Sequence, residues 1–212
     1  MTDMNPGKNK VIGLCGRSGS GKTTVCGAFE KLGIKSIDTD KVYRELTAPC
    51  SDGTPSKLVS LIRKRFGDEV VRSDGSLDRA VLAGIVFGEG NGENLRDLNM
   101  ITHEHILSET ERRIDKYFRE GVRGVIVDAP ALFESRFDKK CDVILCVSAP
   151  DDVLVERIMK RDSISEEAAL RRLSSQISDK ELRERADYII ENDGETDLSL
   201  AAGNVAGKIF NK

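Results

Sequence analysis

The residues best suited to chemistry lie near the N-terminus, where positions 16–23 run GRSGSGKT. They fit the pattern G-x-x-x-x-G-K-[ST], after an apolar run and before an amphipathic stretch. Glycines let such a loop curl until successive backbone N–H groups face an anion, and the start of a helix adds a positive dipole end. The pattern predicts a phosphate-binding loop, in which Lys22 reaches the β- and γ-phosphates of a nucleotide and the Thr23 hydroxyl binds Mg²⁺.

The whole loop and the turn after it are expected to surround the nucleotide. The residues expected to bind it are Arg17, Ser18, Gly19, Ser20, Gly21, Lys22, Thr23 and Thr24. An ordinary glycine-rich turn is the alternative, but strand, loop, Lys-Thr pair and helix agree in their order along the chain.

Carboxylates at the ends of two other apolar runs could complete this chemistry. Asp128 ends one run, as the aspartate of a Walker-B strand does, so we expect it beside the Mg²⁺. Asp38 and Asp40 follow another run, and ligands of α/β sheets bind beyond the carboxyl ends of the strands. One of the two could accept the proton of an attacking hydroxyl group. Asp40 could instead cap a helix that starts at Lys41.

The elements that must hold these residues follow from the apolar pattern. Short apolar runs alternate with longer amphipathic stretches, which predicts an α/β fold with a mostly parallel sheet flanked by helices. Helices are expected over 23–32, directly after the loop, and over 198–209. The five predicted strands are 11–15, 34–37, 122–127, 143–147 and 188–190.

Two regions between the strands have a different pattern. Between the second and third strands no strand-like run occurs, and the spacing predicts three helices separated by turns at 74–75 and 88–92. The predicted helices are 57–66, 78–87 and 93–118. The stretch 160–184 is helical in pattern but has few apolar residues, which is typical of a mobile lid.

Composition excludes several classes of protein. The 33 Lys and Arg residues are interleaved with 36 Asp and Glu residues, for a net charge of −3, so no basic surface for nucleic acid is expected. No apolar run approaches the ~18 residues of a membrane span, and the first nine residues, which lack an apolar run, are not expected to be a secretory signal. The five cysteines show no CxxC spacing, which argues against a disulfide framework or zinc site. A cytoplasmic protein, monomeric or weakly self-associating, is expected.

Several segments, in their order along the chain, resemble the dephospho-CoA kinase family. Besides the phosphate-binding loop they are IDTD at 37–40, DGSLDR at 74–79, ITH at 101–103, DAPALFE at 128–134 and ADYIIENDG at 186–194. The resemblance covers the chain from Val11 to about Gly194. It implies that the γ-phosphoryl group of ATP moves, with Mg²⁺, to the ribose 3′-hydroxyl of dephospho-CoA, which gives CoA and ADP in the last step of coenzyme A biosynthesis.

The same resemblance implies roles for residues outside the loop. Asp40 matches the catalytic base, and Asn192 and Gly194 would lie near the adenine of ATP. Arg157 and Arg161 would act with Lys22 as catalytic residues by clamping phosphate charge during transfer. Three residues fall at the acceptor site: Arg79, His103 and Glu134.

Residue types alone leave simpler roles open for these positions. Arg79 could pair with Asp78 on an exposed helix surface. His103 could be a packing residue, and Glu134 could cap the next helix. The two arginines could be solvated surface, although arginines on a polar lid suit the stabilisation of spreading phosphate charge.

The resemblance also implies one P-loop kinase domain. The expected boundaries are a tail over 1–9 and a domain over 10–212, with core segments 10–48, 121–159 and 185–212, an acceptor-binding helical insert over 49–120 and a lid over 160–184. Departures from the family pattern fall at Cys15, Arg17 and Glu104, where the family generally has Thr, Gly and Pro. None of them changes Lys22 or Asp40, so we expect altered tuning and retained activity.

Two other functions are compatible with the loop. Another P-loop kinase of small molecules would share the loop, lid and base, and would differ in the acceptor pocket. A nucleotide-dependent switch or binding module would leave the lid arginines and the Asp38–Asp40 pair without a task.

Overall fold

The computed structural model describes residues 9–87 and 91–211. The tail over 1–8, the part of the predicted turn at 88–90 and the last residue therefore lie outside the described residues. The chain forms two compact units: the first comprises Met1–Asp38 and Ile114–Lys212, and the second comprises Thr39–Arg113.

The first unit is built on a five-stranded parallel sheet with the strand order β2-β3-β1-β4-β5. The strands are β1 (Lys10–Cys15), β2 (Lys35–Asp38), β3 (Gly124–Asp128), β4 (Val143–Ser148) and β5 (Tyr188–Glu191). The apolar runs of the three inner strands, β1, β3 and β4, are almost wholly buried, as parallel strands covered on both faces require. The two outer strands, β2 and β5, are more exposed. The five predicted strands are confirmed, with ends displaced by up to two residues.

Helices account for most of the remaining chain. Among the described residues they are α1 (Lys22–Lys31), α2 (Thr39–Leu46), α3 (Lys57–Phe66), α4 (Arg79–Val86), α5 (Gly92–Arg119), α6 (Asp151–Asp162), α7 (Glu166–Ser174), α8 (Asp179–Arg185) and α9 (Leu198–Phe210). Each predicted helix is confirmed within one or two residues. In this part of the chain no helix is long and apolar enough to cross a membrane.

The core of the first unit lies where α1 and α9 cover the sheet. Ile12 and Leu14 of β1 pack with Phe29 of α1 and Val205 of α9 in one apolar cluster. Phe29 is fully buried, and burial of such a side chain contributes about 1.5–3 kcal/mol. This packing fixes the end of β1 and the start of α1, and so both ends of the phosphate-binding loop.

The second unit has its own apolar core between its helices. Leu58 and Ile62 of α3 pack there with Leu82 of α4. Asp78 caps α4, because its side chain accepts hydrogen bonds from the N–H groups of Ala80 and Val81. The three helices predicted for the insert over 49–120 are observed as α3, α4 and α5, and the boundaries of the insert stay a prediction.

The stretch predicted as a lid consists of the end of α6 with α7 and α8. Serine side chains cap the two later helices: Ser165 accepts from Ala168 N, and Ser178 accepts from Glu181 N. Its apolar anchor is small, because α7 buries only Ala169 and Leu173 against α6. The helical character is confirmed, and the mobility of the lid stays a prediction.

Candidate active site

The loop between β1 and α1 has the backbone of a phosphate-binding loop. Gly16, Gly19 and Gly21 have φ angles of 149°, 83° and 98°, in a region that side chains rarely allow. A Cβ atom at Gly16 would clash with the carbonyl oxygen of Val147, and one at Gly21 would clash with the side-chain amide of Asn192. The glycines of the motif are therefore required both by conformation and by space.

The start of α1 is suited to an anion. Its N-cap residue is Gly21, which has no side chain to cap the first turn, and this turn contains no acidic residue. The first N–H groups of a helix lack intrahelical partners, so a phosphate group can satisfy them. Thr23 and Thr24 are exposed in the same turn. Lys22 Nζ lies over the loop and donates to the carbonyl oxygen of Gly16 at 2.9 Å.

Residues of the predicted lid contact the loop at Ser18. The Ser18 N–H donates to Gln176 Oε1 at 2.9 Å, and Arg161 Nη2 donates to Ser18 Oγ at 3.1 Å. Asp162 accepts hydrogen bonds from Arg161 Nε and from the same Nη2 atom, both at 2.8 Å. Hydrogen bonds from Arg161 and Arg172 lower the pKa of Asp162 to about 2. The structure thus brings Arg161 to the loop, and it adds Gln176, for which no motif gave a signal.

Arg17 is directed towards the start of α6. Its Nη1 atom lies 2.5 Å from Asp151 Oδ1, and its side chain is 10% exposed. An acidic residue in the first turn of a helix is favoured by the helix dipole, and Arg17 adds a partner to it. This departure from the family pattern therefore joins the loop to α6.

The other departure in the loop region, Cys15, lies in the sheet. Cys15 is paired in register with Cys146 of β4, and both residues are buried. A hydrogen bond with Cys146, together with burial, raises the pKa of the Cys15 thiol. The thiol that replaces the usual hydroxyl is therefore hydrogen-bonded to a second thiol.

Arg157 and Asn192 meet behind the loop. Arg157 Nη1 donates to the carbonyl oxygen of Gly19 at 3.3 Å, and Asn192 Nδ2 donates to that of Ser20 at 2.7 Å. Gly194 is two residues further on, with a φ of 102°. The phosphate clamp by Arg157 and the adenine contact of Asn192 and Gly194 stay predictions, whereas these loop contacts are observed.

The register of the sheet brings two of the candidate carboxylates to one edge. Asp38 of β2 lies opposite Asp128 of β3, and Asp128 lies opposite Leu14 of β1, one residue before that strand ends. Asp38 and Asp128 therefore lie side by side at the carboxyl ends of neighbouring strands, and their roles in the site stay predictions. With the Thr23 hydroxyl, Asp128 offers the oxygen ligands that Mg²⁺ prefers, and phosphates and water usually complete such a site.

Asp40 lies within α2 and does not precede it. The helix begins at Thr39, directly after β2 ends at Asp38, so the idea that Asp40 caps a helix starting at Lys41 is wrong. The physical reason is that strand and helix join here without the two-residue turn that the cap would need. Asp40 is exposed in the first turn of α2, where the helix dipole favours a carboxylate.

Arg79 is exposed, and two residues of the segment 39–47 contact its guanidinium group within the second unit. Its guanidinium lies 5.5 Å from the centre of the Tyr43 ring, and Nη2 donates to Thr47 Oγ1 at 3.2 Å. Asp78 forms its ion pair with Arg72, at 3.0 Å. The alternative of a simple Asp78–Arg79 surface pair is therefore wrong, because Asp78 is engaged by the α4 cap and by Arg72.

The remaining acceptor-site candidates occupy different elements. His103 is half-buried in α5, and Glu104 follows it inside the same unbroken helix. Glu134 is exposed in the turns between β3 and a short 3₁₀ helix, Phe137–Lys140. The N-cap residue of that helix is Arg136, so the alternative that Glu134 caps the next helix is wrong.

One polar network joins the lid to the sheet, and sequence reasoning missed it. Arg183 of α8 binds Glu191 at the end of β5 and Asp179 at the start of α8, and it also donates to Ser148 Oγ at 2.8 Å. The hydrogen bonds with Glu191 and Asp179 raise the pKa of Arg183. Helical spacing could have indicated only the pair with Asp179, which lies one turn before Arg183. Ser148 and Glu191 belong to other elements, so their contacts depend on how α8 packs against the sheet.

Comparison with known proteins agrees with this geometry. A family model described as dephospho-CoA kinase matches residues 10–197. A dephospho-CoA kinase of Bacillus cereus is 40% identical over 186 residues, which are 87% of this chain and 88% of the relative. TT1252 from Thermus thermophilus is 28% identical with a TM-score of 0.76, over 95% of this chain and 98% of that one. A dephospho-CoA kinase from Campylobacter jejuni, 24% identical with a TM-score of 0.62 over 96% and 99% of the chains, shares the fold. The resemblance is thus confirmed, and the chain belongs to the dephospho-CoA kinase family of P-loop kinases.

Proposed function

We propose that this chain transfers the γ-phosphoryl group of ATP to the 3′-hydroxyl group of dephospho-CoA, which gives CoA and ADP. The observation that carries the proposal is the loop over 16–23, with its required glycines and Lys22, in a chain of this family. Phosphoryl transfer depends mainly on positioning and on the stabilisation of charge, and the loop supplies both at the triphosphate.

The donor side of the reaction follows from the contacts of the loop. The triphosphate takes the N–H groups of the loop and of the first turn of α1, and Lys22 exchanges the carbonyl oxygen of Gly16 for the phosphates. The Ser18 N–H, which donates to Gln176 Oε1 in the structure, would likewise donate to a phosphate oxygen instead. Arg161, already at Ser18, is then placed to stabilise the charge that spreads over the transferred group.

Magnesium would be held by the Thr23 hydroxyl and, through water, by Asp128. The oxygen donors fit this hard cation, which commonly binds proteins through one or two carboxylates together with substrate phosphates. When bound, the ion neutralises charge on the phosphates as the transferred group leaves. Asp38 lies opposite Asp128 and adds negative charge at the same edge of the sheet.

The acceptor side is assigned to residues of the second unit and to Glu134. Asp40 accepts the proton of the attacking hydroxyl group, for which a carboxylate must be ionised and within hydrogen-bond reach of that group. Arg79, His103 and Glu134 bind the acceptor. Arg79 is pre-positioned by Tyr43 and Thr47, so little side-chain freedom is lost when it binds an anionic group. The protein acts in the cytoplasm as a monomer or weak homo-oligomer, without nucleic acid or membrane.

A coupled assay of ADP release with a panel of acceptors tests the proposal. Dephospho-CoA should support turnover well above the rate of ATP hydrolysis without acceptor, and nucleosides and shikimate should not. In the same assay Lys22→Ala should lower the turnover. Its control is Lys31→Ala, because Lys31 is an exposed lysine at the other end of α1. Faster turnover with a nucleoside or a sugar acid would instead assign the chain to another small-molecule kinase activity.

A further inference from the structure

Asn192 is a buried polar residue whose hydrogen-bonding groups are all used within the protein. It follows β5 and is 7% exposed. Its backbone N–H donates to the carbonyl oxygen of Ser148 at 2.7 Å, which extends the sheet by one residue. Its side-chain Nδ2 donates to the carbonyl oxygen of Ser20 at 2.7 Å, and its Oδ1 accepts from Arg157 Nη2 at 3.2 Å. The carboxamide therefore links the phosphate-binding loop to α6.

Arg157 completes this link from α6. Its Nη1 atom donates both to the backbone carbonyl oxygen of Asn192, at 3.2 Å, and to that of Gly19, at 3.3 Å. Arg157 and Asn192 thus engage the carbonyl groups of two consecutive loop residues, Gly19 and Ser20. The planar guanidinium fork fixes direction as well as distance, which an ammonium group would not do.

Holding these two carbonyl groups sets the direction of the N–H groups that follow them. In a trans peptide unit the C=O and N–H bonds point to opposite sides. Because the Ser20 carbonyl group points to Asn192, the N–H of Gly21 points away from Asn192. Because the Gly19 carbonyl group points to Arg157, the N–H of Ser20 points into the loop, where it donates to the carbonyl oxygen of Arg17 at 3.1 Å.

Two glycines of the motif allow this contact. A Cβ atom at Gly21 would overlap the side-chain amide of Asn192. A Cβ atom at Gly19 would lie 3.2 Å from the carbonyl oxygen of Leu154 and 3.3 Å from Ile158 Cγ1, both on α6. The loop is therefore packed directly against Asn192 and α6, and the glycines serve this packing as well as the loop conformation.

We propose that Asn192 is a positioning residue, which together with Arg157 holds the phosphate-binding loop in the conformation that accepts a triphosphate. This positioning role rests on the proposed function. It differs from the role that the family resemblance implies, in which Asn192 lies near the adenine of ATP. Since Asn192 acts on the loop, its loss weakens binding of every triphosphate by the same factor, whatever the base.

Binding of three probes to the intact chain, measured by calorimetry without acceptor, tests this. The probes are magnesium-ATP, magnesium-GTP and inorganic tripolyphosphate. For Asn192→Ala we expect the Kd of all three to rise together, by roughly tenfold or more, because the Ser20 carbonyl group and Arg157 lose a buried partner. The matched control is Asn204→Ala, the same change at an exposed position of α9, which should leave all three Kd values unchanged.

A second variant separates this effect from loss of folding. Asn192→Asp keeps the shape and the acceptor for Arg157 but cannot donate to the carbonyl oxygen of Ser20. For Asn192→Asp the Kd of all three probes should rise by the same factor. Asn192→Gln keeps the amide group, but its longer side chain displaces that group from Gly21, so its affinity should also stay below that of the wild type. Thermal unfolding of each variant establishes that the binding measurements refer to folded protein.

The outcomes divide clearly. A loss confined to ATP, with tripolyphosphate bound as in the wild type, would overturn the proposal in favour of an adenine contact. Wild-type affinities in folded Asn192→Ala and folded Asn192→Asp would also overturn it. Triphosphate binding by a wild-type chain that fails to phosphorylate dephospho-CoA would refute the proposed function alone, and the loop measurements would still decide the role of Asn192. No triphosphate binding by the wild type would refute both.

Discussion

The phosphate-binding loop and the helical second unit hold their side chains by different means. The loop is fixed by close approach, because Gly16 and Gly21 have no room for a Cβ atom and a Cβ atom at Gly19 would be tightly packed against α6. The polar side chains on the surface of the second unit are held by ion pairs, such as Arg65–Asp97 at 2.6 Å and Arg72–Asp78 at 3.0 Å. Close packing cannot adjust to added atoms, whereas an exposed ion pair contributes only about 0–1 kcal/mol. The loop should therefore tolerate little change, and the surface of the second unit much more.

The largest effect is expected from Gly21→Ala. The φ of 98° disfavours any side chain, and the added methyl group would displace the Asn192 amide. We expect the Kd for magnesium-ATP to rise on the order of a hundredfold or more, as measured by calorimetry. Gly27→Ala in α1 is the control, because nothing lies within 4 Å of its Cβ position and the helix gains stability. Equal binding by both variants would contradict the role of close approach.

Lys22→Ala should reduce kcat strongly while the loop backbone is preserved. In the proposed mechanism the ammonium group donates to the phosphates, and loss of such a donor lowers the rate on the order of 10²–10³-fold. Initial rates of ADP release with dephospho-CoA measure the effect, with Lys31→Ala as the control. Turnover near the wild-type value would remove Lys22 from the mechanism.

Arg79→Lys tests whether Arg79, in the second unit, binds the acceptor dephospho-CoA. Lysine keeps the charge but loses the hydrogen bond to Thr47 and the stacking on Tyr43, so the KM for dephospho-CoA should rise by about tenfold. The Kd for ATP should not change. Arg72→Lys, at an exposed ion pair of the same unit, should alter neither value. An increase in the Kd for ATP without a change in KM for dephospho-CoA would contradict the acceptor assignment.

The smallest effect is expected at Glu109, which binds Arg112 and Arg113 within α5. A hydrogen bond from Arg112 lowers the pKa of Glu109 from 4.5 to about 2. A depressed carboxyl pKa stabilises the folded state above the unfolded value, and this contribution is lost as the pH falls from 4.5 through about 2. The Glu109 side chain is half-buried, but its partner Arg112 is 64% exposed, so solvent screens the pair and Glu109→Gln should cost about 1 kcal/mol or less at neutral pH.

Urea unfolding of the wild type and of Glu109→Gln, at about pH 7 and about pH 3, measures how much ionised Glu109 contributes to the free energy of unfolding. The difference between the two proteins should shrink at the lower pH. A difference that grows on acidification would show that the ionised form of Glu109 is not the stabilising one.

The sequence was most informative where chemistry and backbone geometry share one short segment. The loop over 16–23 could be predicted because its glycines, Lys22 and the flanking apolar runs are contiguous. The start of β3 was placed two residues too early, at Val122, because an apolar residue that ends a helical turn looks like the start of a strand. Val122 N in fact donates to the carbonyl oxygen of Tyr117, at the end of α5.

Contacts between distant segments could not be predicted in the same way. Gln176 reaches Ser18 and Arg157 reaches Gly19 only because α6 and α7 pack beside the loop. The sequence placed Arg157 and Arg161 one helical turn apart and thus on one face, but it gave no means to distinguish a contact with the loop backbone from one with a phosphate. The order of the strands likewise depends on long-range packing.

The most direct test of the account is a calorimetric titration of magnesium-ATP into the folded wild-type chain and into Gly21→Ala. The account predicts saturable heat for the wild type and a loss of that heat in the variant, with Gly27→Ala behaving like the wild type. Absence of binding heat in the folded wild-type chain, or undiminished heat in Gly21→Ala, would contradict it.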